Sequence, residues 1–343
     1  MPLHHYSNIF VDFAAVSPNH FWCYNLGQMR AILSYIKDGR PAQETAAKAI
    51  RAGIGKVSGP YWLSLTSPTE EDLAWLGEKW GFHPLTLEDC RTYNPRPKLE
   101  EYSGYLFLVL HEVSLRRELA EATDIQLYFS QEYLITVHRG ESVVLDRIRE
   151  RGIDLSKGVD FLFYRLMSQF VEDYFDIVDA MDERIENVEE QVVTRPGRQV
   201  LHRIFGLRKN LVSILRLAAP FREILHVLES HDYPYIKPEH QLYFRDVRNS
   251  LVYIHEMIET QRDLASGALE AYMSSINNNL NEVLKRLTLI ATIFMPISFI
   301  AAFFGMNFRS LPFDDAVVMA ATLAVIVALP LGMLVWFKTR GWV

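Results

Sequence analysis

The spacing of apolar residues along this chain changes twice. Up to about residue 155 they come in short runs rich in β-branched and aromatic side chains, bounded by polar turns. Tyr61–Leu65, Tyr105–His111, Ile125–Phe129 and Tyr133–His138 read as strands, and Ser130-Gln131-Glu132 joins the last two as a hairpin. Ser67-Pro68-Thr69-Glu70 supplies a Ser N-cap, a Pro at the first helical position and a Glu three residues on, so a helix is predicted to start there. From about Gly158 the period lengthens. Val171, Tyr174, Val178, Met181, Ile185, Val188 and Val192 recur every three or four residues, as one face of a helix does. A second face carries Glu172, Asp176, Asp179, Glu183, Glu186 and Glu190. Thr194-Arg195-Pro196-Gly197 is a turn signal. The return helix, about Gln199 to Ser230, is basic in its first half (Arg203, Arg208, Lys209, Arg216), which suggests an antiparallel hairpin.

The second change is at the C-terminal end. After His231-Asp232-Tyr233-Pro234 a helical stretch begins near Pro238 and meets no break until Pro296. Unbroken over 239–307 it would be on the order of 100 Å long. A rod of that length cannot bury its faces alone, so it must pack on copies of itself or on the preceding helices, and an oligomer is expected. Its last part, Leu287 to Phe308, carries no charge and lies between Arg286 and Arg309. At about 1.5 Å per residue it reaches across the roughly 30 Å hydrocarbon core of a bilayer. A second uncharged run, Ala316 to Phe337, follows after the short RSLPFDD segment, so the two form a transmembrane hairpin. The fold class is an α+β membrane protein with an N-terminal α/β cytosolic domain, a long helical stalk and two C-terminal transmembrane helices. The expected segments are 1–155 (α/β domain), 156–238 (helical hairpin), 239–286 (cytosolic stalk), 287–308 (first span), 309–315 (outer loop), 316–337 (second span) and 338–343 (cytoplasmic tail).

Charge sets orientation and excludes some partners. Lys285 and Arg286 precede the first span and Lys338 and Arg340 follow the second, whereas the loop has one base, Arg309, beside Asp314 and Asp315. The positive-inside rule then places both termini in the cytoplasm. A net charge of -7 gives no support for a nucleic-acid partner. Cys23 and Cys90 are far apart and in no metal-ligand spacing, which reads as reduced cytoplasmic thiols. The N-terminus lacks the basic and apolar regions of a signal peptide, so insertion is expected to come from the C-terminal hairpin.

No phosphate-binding loop, nucleophile elbow or cofactor fingerprint is present, and the chain is not read as an enzyme. Candidate chemistry lies along the first span. One face reads Asn281, Leu284, Thr288, Ala291, Met295, Ser298 and Ala302, with Leu287 close beside it. Such a stripe either lines a narrow pore with apolar constrictions at Leu284, Leu287 and Met295, or is the small-residue seam that packs membrane helices together. Gly305-Met306-Asn307 ends the span. The Asn amide there either faces an ion at the negative end of the helix dipole or serves as an ordinary C-cap. Between Leu287 and Phe308 there is no Asp, Glu, His or Cys, the groups that zinc or another transition metal would want as direct ligands. Magnesium holds its waters tightly and suits an amide and carbonyl path better. The acidic stripe Glu172–Glu190 is a solvated helix face or a loose divalent-cation surface.

The run NNNLNEVLKRLTLIATIFMPISFIAAFFGMNF, Asn277 to Phe308, closely resembles the signature of the CorA family of magnesium channels, including its Gly-Met-Asn triplet. His83-Pro84-Leu85-Thr86-Leu87-Glu88-Asp89 and Arg96-Pro97-Lys98-Leu99-Glu100 also resemble that family's cytosolic domain, and the likeness extends from about residue 60 to the end. The resemblance implies a homopentamer in the bacterial inner membrane whose stalk helices continue into a pore. Gly305, Met306 and Asn307 would form the outer selectivity ring, with Leu284, Leu287 and Met295 at hydrophobic gate positions and Asn281, Ala291 and Ser298 along the pore. Asp89 and Glu270 match the cytosolic sensor, where magnesium bridging carboxylates across subunits would hold the closed state. Two features depart from the pattern. The loop Arg309-Ser310-Leu311-Pro312-Phe313 puts a cation beside the filter, where magnesium-type members commonly carry acids and a Met-Pro-Glu-Leu stretch. The sensor position is Glu270, one methylene longer than the expected Asp.

The function expected is a channel for hydrated magnesium gated by cytosolic magnesium, with cobalt or nickel as passengers. The alternatives are a zinc transporter of the related ZntB branch, proton-coupled or not, and a non-conducting membrane-anchored sensor or scaffold.

Overall fold

The computed structural model describes residues 30–37, 40–116, 119–306 and 316–342. In chain order these form β1 (Arg30–Lys37), β2 (Arg40–Glu44), α1 (Ala47–Gly53), β3 (Tyr61–Thr66), α2 (Glu70–Trp80), α3 (Pro84–Asp89), β4 (Lys98–Tyr102), β5 (Tyr105–Arg116), β6 (Leu119–Phe129), β7 (Tyr133–His138), α4 (Val143–Glu150), α5 (Val159–Thr194), α6 (Arg198–Ser230), α7 (Pro238–Phe304) and α8 (Ala316–Thr339). The chain divides into two compact units. One runs to Arg184 and resumes over Gly206–Asp263; the other comprises Ile185–Phe205 and Leu264 onward.

The first unit is built on a sheet of order β2-β1-β3-β7-β6-β5-β4. Strands β3 and β7 pair in parallel and the other neighbours antiparallel. Period-two alternation assigns the faces. Leu63, Leu65, Phe107, Val109, Tyr128, Ile135 and Val137 point to one side, where Leu73, Leu76 and Leu87 from α2 and α3 complete an apolar core. On the other side Phe129 stacks on Phe163 of α5, ring centroids 4.3 Å apart, and Phe163 meets Phe244 of α7 at 5.6 Å. Arg149 of α4 donates to Ser64 at 2.6 Å and lies over the Trp62 ring at 5.2 Å. The result is three layers, helix–sheet–helix. On α5 the face from Val171 to Val192 is buried at all seven predicted positions, and the acidic stripe is exposed.

The start of α2 differs from expectation. Thr69, not Ser67, is the N-cap, and it forms a capping box with Asp72. The Asp72 carboxylate accepts from the Thr69 amide at 2.8 Å and its hydroxyl at 2.7 Å, and also pairs with Arg51. Ser67 has φ 51°, outside the extended region an N-cap uses, so Pro68 cannot open the helix. Further along, α2 and α3 pack closely because position 77 is glycine: a Cβ there would sit 2.9 Å from Leu87 Cδ1. That approach fixes the helix whose last residue is Asp89.

In the second unit the end of α5 and the start of α6 bury Ile185, Val188, Val192, Val200 and Ile204, and α7 buries Ala265, Ala268 and Tyr272. Further along, α7 and α8 are long and apolar enough to cross a membrane, and their apolar side chains stand almost wholly exposed in the single chain. Exposed apolar area on that scale calls for lipid or for other copies. The chain is an α+β membrane protein with two apolar C-terminal helices. After α8 the backbone turns at Gly341 (φ 68°), and Trp342 folds back to stack on the buried Phe337 ring, 5.8 Å between centroids. Lys285 closes this turn from α7. Its ammonium donates to the Gly341 carbonyl at 3.2 Å and lies 5.9 Å from the Trp342 ring centre.

Candidate ion path and cation sensor

The stripe predicted along α7 is present on one continuous helix. Asn281, Leu284, Leu287, Ala291, Met295 and Ser298 are all exposed, Leu287 at 62% and Met295 at 71%. On the far side of the same turn Leu289 is buried, so this segment already has an inside and an outside. The hydroxyls beside the stripe are satisfied within the helix: Thr288 donates to the Leu284 carbonyl and Thr292 to that of Thr288, each at 2.8 Å. No charged side chain falls in the described part of the span after Arg286. A face of this kind offers amides, small side chains and apolar rings, and nothing that strips water from a divalent ion.

Helix α7 ends at Phe304, with the Gly305 amide donating to the Ala301 carbonyl at 3.0 Å and the Met306 amide to that of Phe303 at 3.3 Å. A Cβ at position 305 would lie 3.3 Å and 3.4 Å from the carbonyl oxygens of Ala301 and Ala302. Glycine therefore leaves the helix's terminal carbonyls uncrowded, at the end that carries the negative pole of the dipole. Asn307, the third member of the triplet, lies outside the described residues, as does the Arg309 loop.

Asp89 ends α3 beside an open cleft of about 530 Å³ lined by Leu85, Glu88, Asp89, Lys98, Glu100, Glu101 and Tyr102. His83 caps α3, its Nδ1 accepting from the Leu85 amide at 3.3 Å, and its ring stacks on Tyr102. The cleft is not purely acidic. Lys98 places its ammonium 2.7 Å from Asp89 and 2.8 Å from Glu100, and Tyr102 donates to the other Glu100 oxygen at 2.9 Å. Burial alone would lower the Lys98 pKa, but the bonds and attraction of the two carboxylates outweigh it and raise it. Burial would likewise raise Glu100, yet Lys98 and Tyr102 hold it below the usual carboxylate range. Burial and the Glu100 contact push Tyr102 up to about 12. Glu270, the expected partner of Asp89, is exposed on α7 in the second unit and forms no ion pair among the described residues. No group of three or more His, Cys, Asp or Glu close enough to hold a metal ion occurs among the described residues, the α5 acidic stripe included. The carboxylates lining the cleft are hard oxygen donors, which fit magnesium and its water shell better than a softer metal.

Three further titratable groups, His111, His138 and Cys90, are buried in the first unit. His111 donates from Nε2 to the Asn94 carbonyl (2.6 Å), His138 pairs with the Thr66 hydroxyl (3.1 Å), and burial pushes the Cys90 thiol up to about 12, which keeps it protonated. Lys98 was the residue beside Asp89 that sequence reading did not single out. Its place in Arg96-Pro97-Lys98-Leu99-Glu100 gave no sign that it would fold onto Asp89.

A layered α/β body that feeds one long helix into a pair of apolar spans defines a two-span membrane protein whose soluble part is built on the same helix as its first span. The chain belongs to the CorA family: the family model described as "CorA-like Mg2+ transporter protein" matches residues 57–339. It is 36% identical over 300 residues to the cobalt/magnesium transport protein CorA of Thermotoga maritima, covering 83% of this chain and 84% of that one. It is 21% identical over 329 residues to the zinc transport protein ZntB of Yersinia enterocolitica, covering 91% and 96%. The complete structure of the CorA magnesium transporter from Methanocaldococcus jannaschii shares the fold, with a TM-score of 0.79 at 21% identity over 92% of this chain and 99% of that chain.

Proposed function

We propose that this chain assembles as a homopentamer in the bacterial inner membrane, both termini cytoplasmic, and conducts hydrated magnesium, with cobalt or nickel as passengers. The observation that carries this reading is the exposed, uncharged stripe from Asn281 to Ser298 on a helix that ends just before Gly305-Met306. Five such stripes facing one axis would make a path of amides and small side chains, closed by rings of Leu284, Leu287 and Met295. Gly305, Met306 and Asn307 would form the outer filter, where terminal carbonyls and an amide meet an ion that keeps its water. Asp89 and Glu270 would bind magnesium between subunits. Because that binding favours the closed arrangement, a fall in cytosolic magnesium releases it.

The test is ion flux in liposomes with magnesium, zinc and a pH step. Magnesium influx that ignores the pH step is expected and would be lost with Asn307→Ala. Zinc uptake that follows the proton gradient without magnesium flux would replace this reading with the zinc-transporter one. Absence of any flux, with soluble-domain behaviour unchanged in Asn307→Ala, would leave a tethered sensor.

A further inference from the structure

We propose that Lys98 is an internal competitor for the magnesium sensor, its ammonium occupying the coordination face of Asp89 until a divalent ion displaces it. This rests on Asp89 being the sensor carboxylate. The ammonium lies between two carboxylates on different elements, Asp89 at the end of α3 and Glu100 on β4, at 2.7 Å and 2.8 Å. Both distances are direct charge-assisted contacts, so one oxygen of Asp89 is already engaged. The nitrogen also lies over the Phe107 ring, 5.5 Å from its centre, while a third of the side chain remains exposed (33%). Lys98 is therefore held in the cleft through its ammonium alone, and its partly exposed side chain gives that ammonium a way out to solvent. Tyr102 holds the second oxygen of Glu100, which keeps that carboxylate in place for the ammonium to return to.

The consequence is an affinity set by exchange. A divalent ion reaching Asp89 meets a positive charge in contact with its ligand and binds only as that charge leaves. Removing it should tighten magnesium binding on the order of tenfold, because the ion no longer has to break a charge-assisted contact to reach Asp89. Lys98 acts through Asp89 and is a positioning residue. It need not touch the ion.

The experiment titrates magnesium alone against full-length protein in lipid nanodiscs, reading hydrogen exchange over residues 84–102, and in parallel against flux in liposomes. Lys98→Met and Lys98→Gln are expected to lower the half-saturating magnesium concentration about tenfold in both readouts. Lys98→Arg, which keeps the charge, is expected to stay within about threefold of the parent, since the Coulomb term is unaltered. A merely structural role would lower maximal flux and leave the midpoint alone. An unchanged or raised midpoint in both Lys98→Met and Lys98→Gln overturns the proposal. If Asp89→Asn shifts the parent's midpoint and the Lys98 variants do not, only the competitor role fails. If Asp89→Asn leaves the midpoint where it was, the sensor reading fails, and the competitor role goes with it.

Discussion

Asp160, in the first turn of α5, and His240, in the first turn of α7, meet at 2.6 Å with both side chains more than nine-tenths buried. The same carboxylate oxygen accepts from the Lys237 amide at 3.1 Å, so one group anchors the start of two helices. Removing it leaves a buried imidazole and an orphaned amide. Asp160→Ala is expected to cost about 3 kcal/mol, the usual result of breaking a buried pair from one side. Denaturant unfolding in detergent, followed by the near-ultraviolet signal of the soluble part, measures it. A loss under about 1 kcal/mol would mean that water replaces the carboxylate.

His138 gives the soluble unit an acid-sensitive step. Burial, then the nearby Arg149 cation, lowers its pKa from 6.5 to about 4. The folded state therefore binds the proton less readily than the unfolded chain. Stability from this group is fully present above pH 6.5, falls as the pH drops through the unfolded value, and levels off below about 4. The loss over that window is about 3 kcal/mol. Unfolding midpoints at pH 7, 5.5 and 4 should show it, and His138→Gln should flatten that part of the curve.

At the mouth of the proposed path, Gly305→Ala inserts a methyl 3.3 Å from the Ala301 carbonyl oxygen. The last turn must shift to accept it, at about 1–3 kcal/mol of overpacking. Magnesium flux should fall while protein yield and the soluble unit's melting stay unchanged. Parental flux in this variant would mean the terminal carbonyls take no part in conduction.

Leu287 is the most exposed of the proposed leucine gate positions. If rings of Leu284 and Leu287 close the path by excluding water, Leu287→Asn wets it. The expected result is magnesium leak from loaded liposomes even at high internal magnesium, where the parent is shut. A variant that leaks no faster than the parent places the constriction elsewhere.

What the sequence disclosed follows from which elements are amphipathic over a long enough run. Strands β3, β5, β6 and β7 were legible because their apolar residues are dense, and α5 to α8 because many turns keep one face. Strand β1, RAILSYIK, was passed over, and strands β2 and β4 were not legible. RPAQE and KLEEY are polar edge strands, held by a single neighbour, and Pro41 is tolerable in β2 only because it is an edge. The capping box of α2 was misplaced by two residues because Ser67-Pro68 and Thr69 both fit a cap by composition, and only the positive φ at Ser67 separates them. The uncharged stripe along α7 was readable as spacing on one helix. The Lys98–Asp89 contact was not, since it joins the end of a short helix to an edge strand across a turn whose path spacing does not encode.

The turn at Gly341 has a practical side. Trp342 is tucked onto Phe337 while Lys285, two residues before Leu287, grips the carbonyl next to it. Any reporter or affinity handle spliced immediately after Trp342 would tug on the base of the first span, so readings from such fusions would describe a pulled molecule.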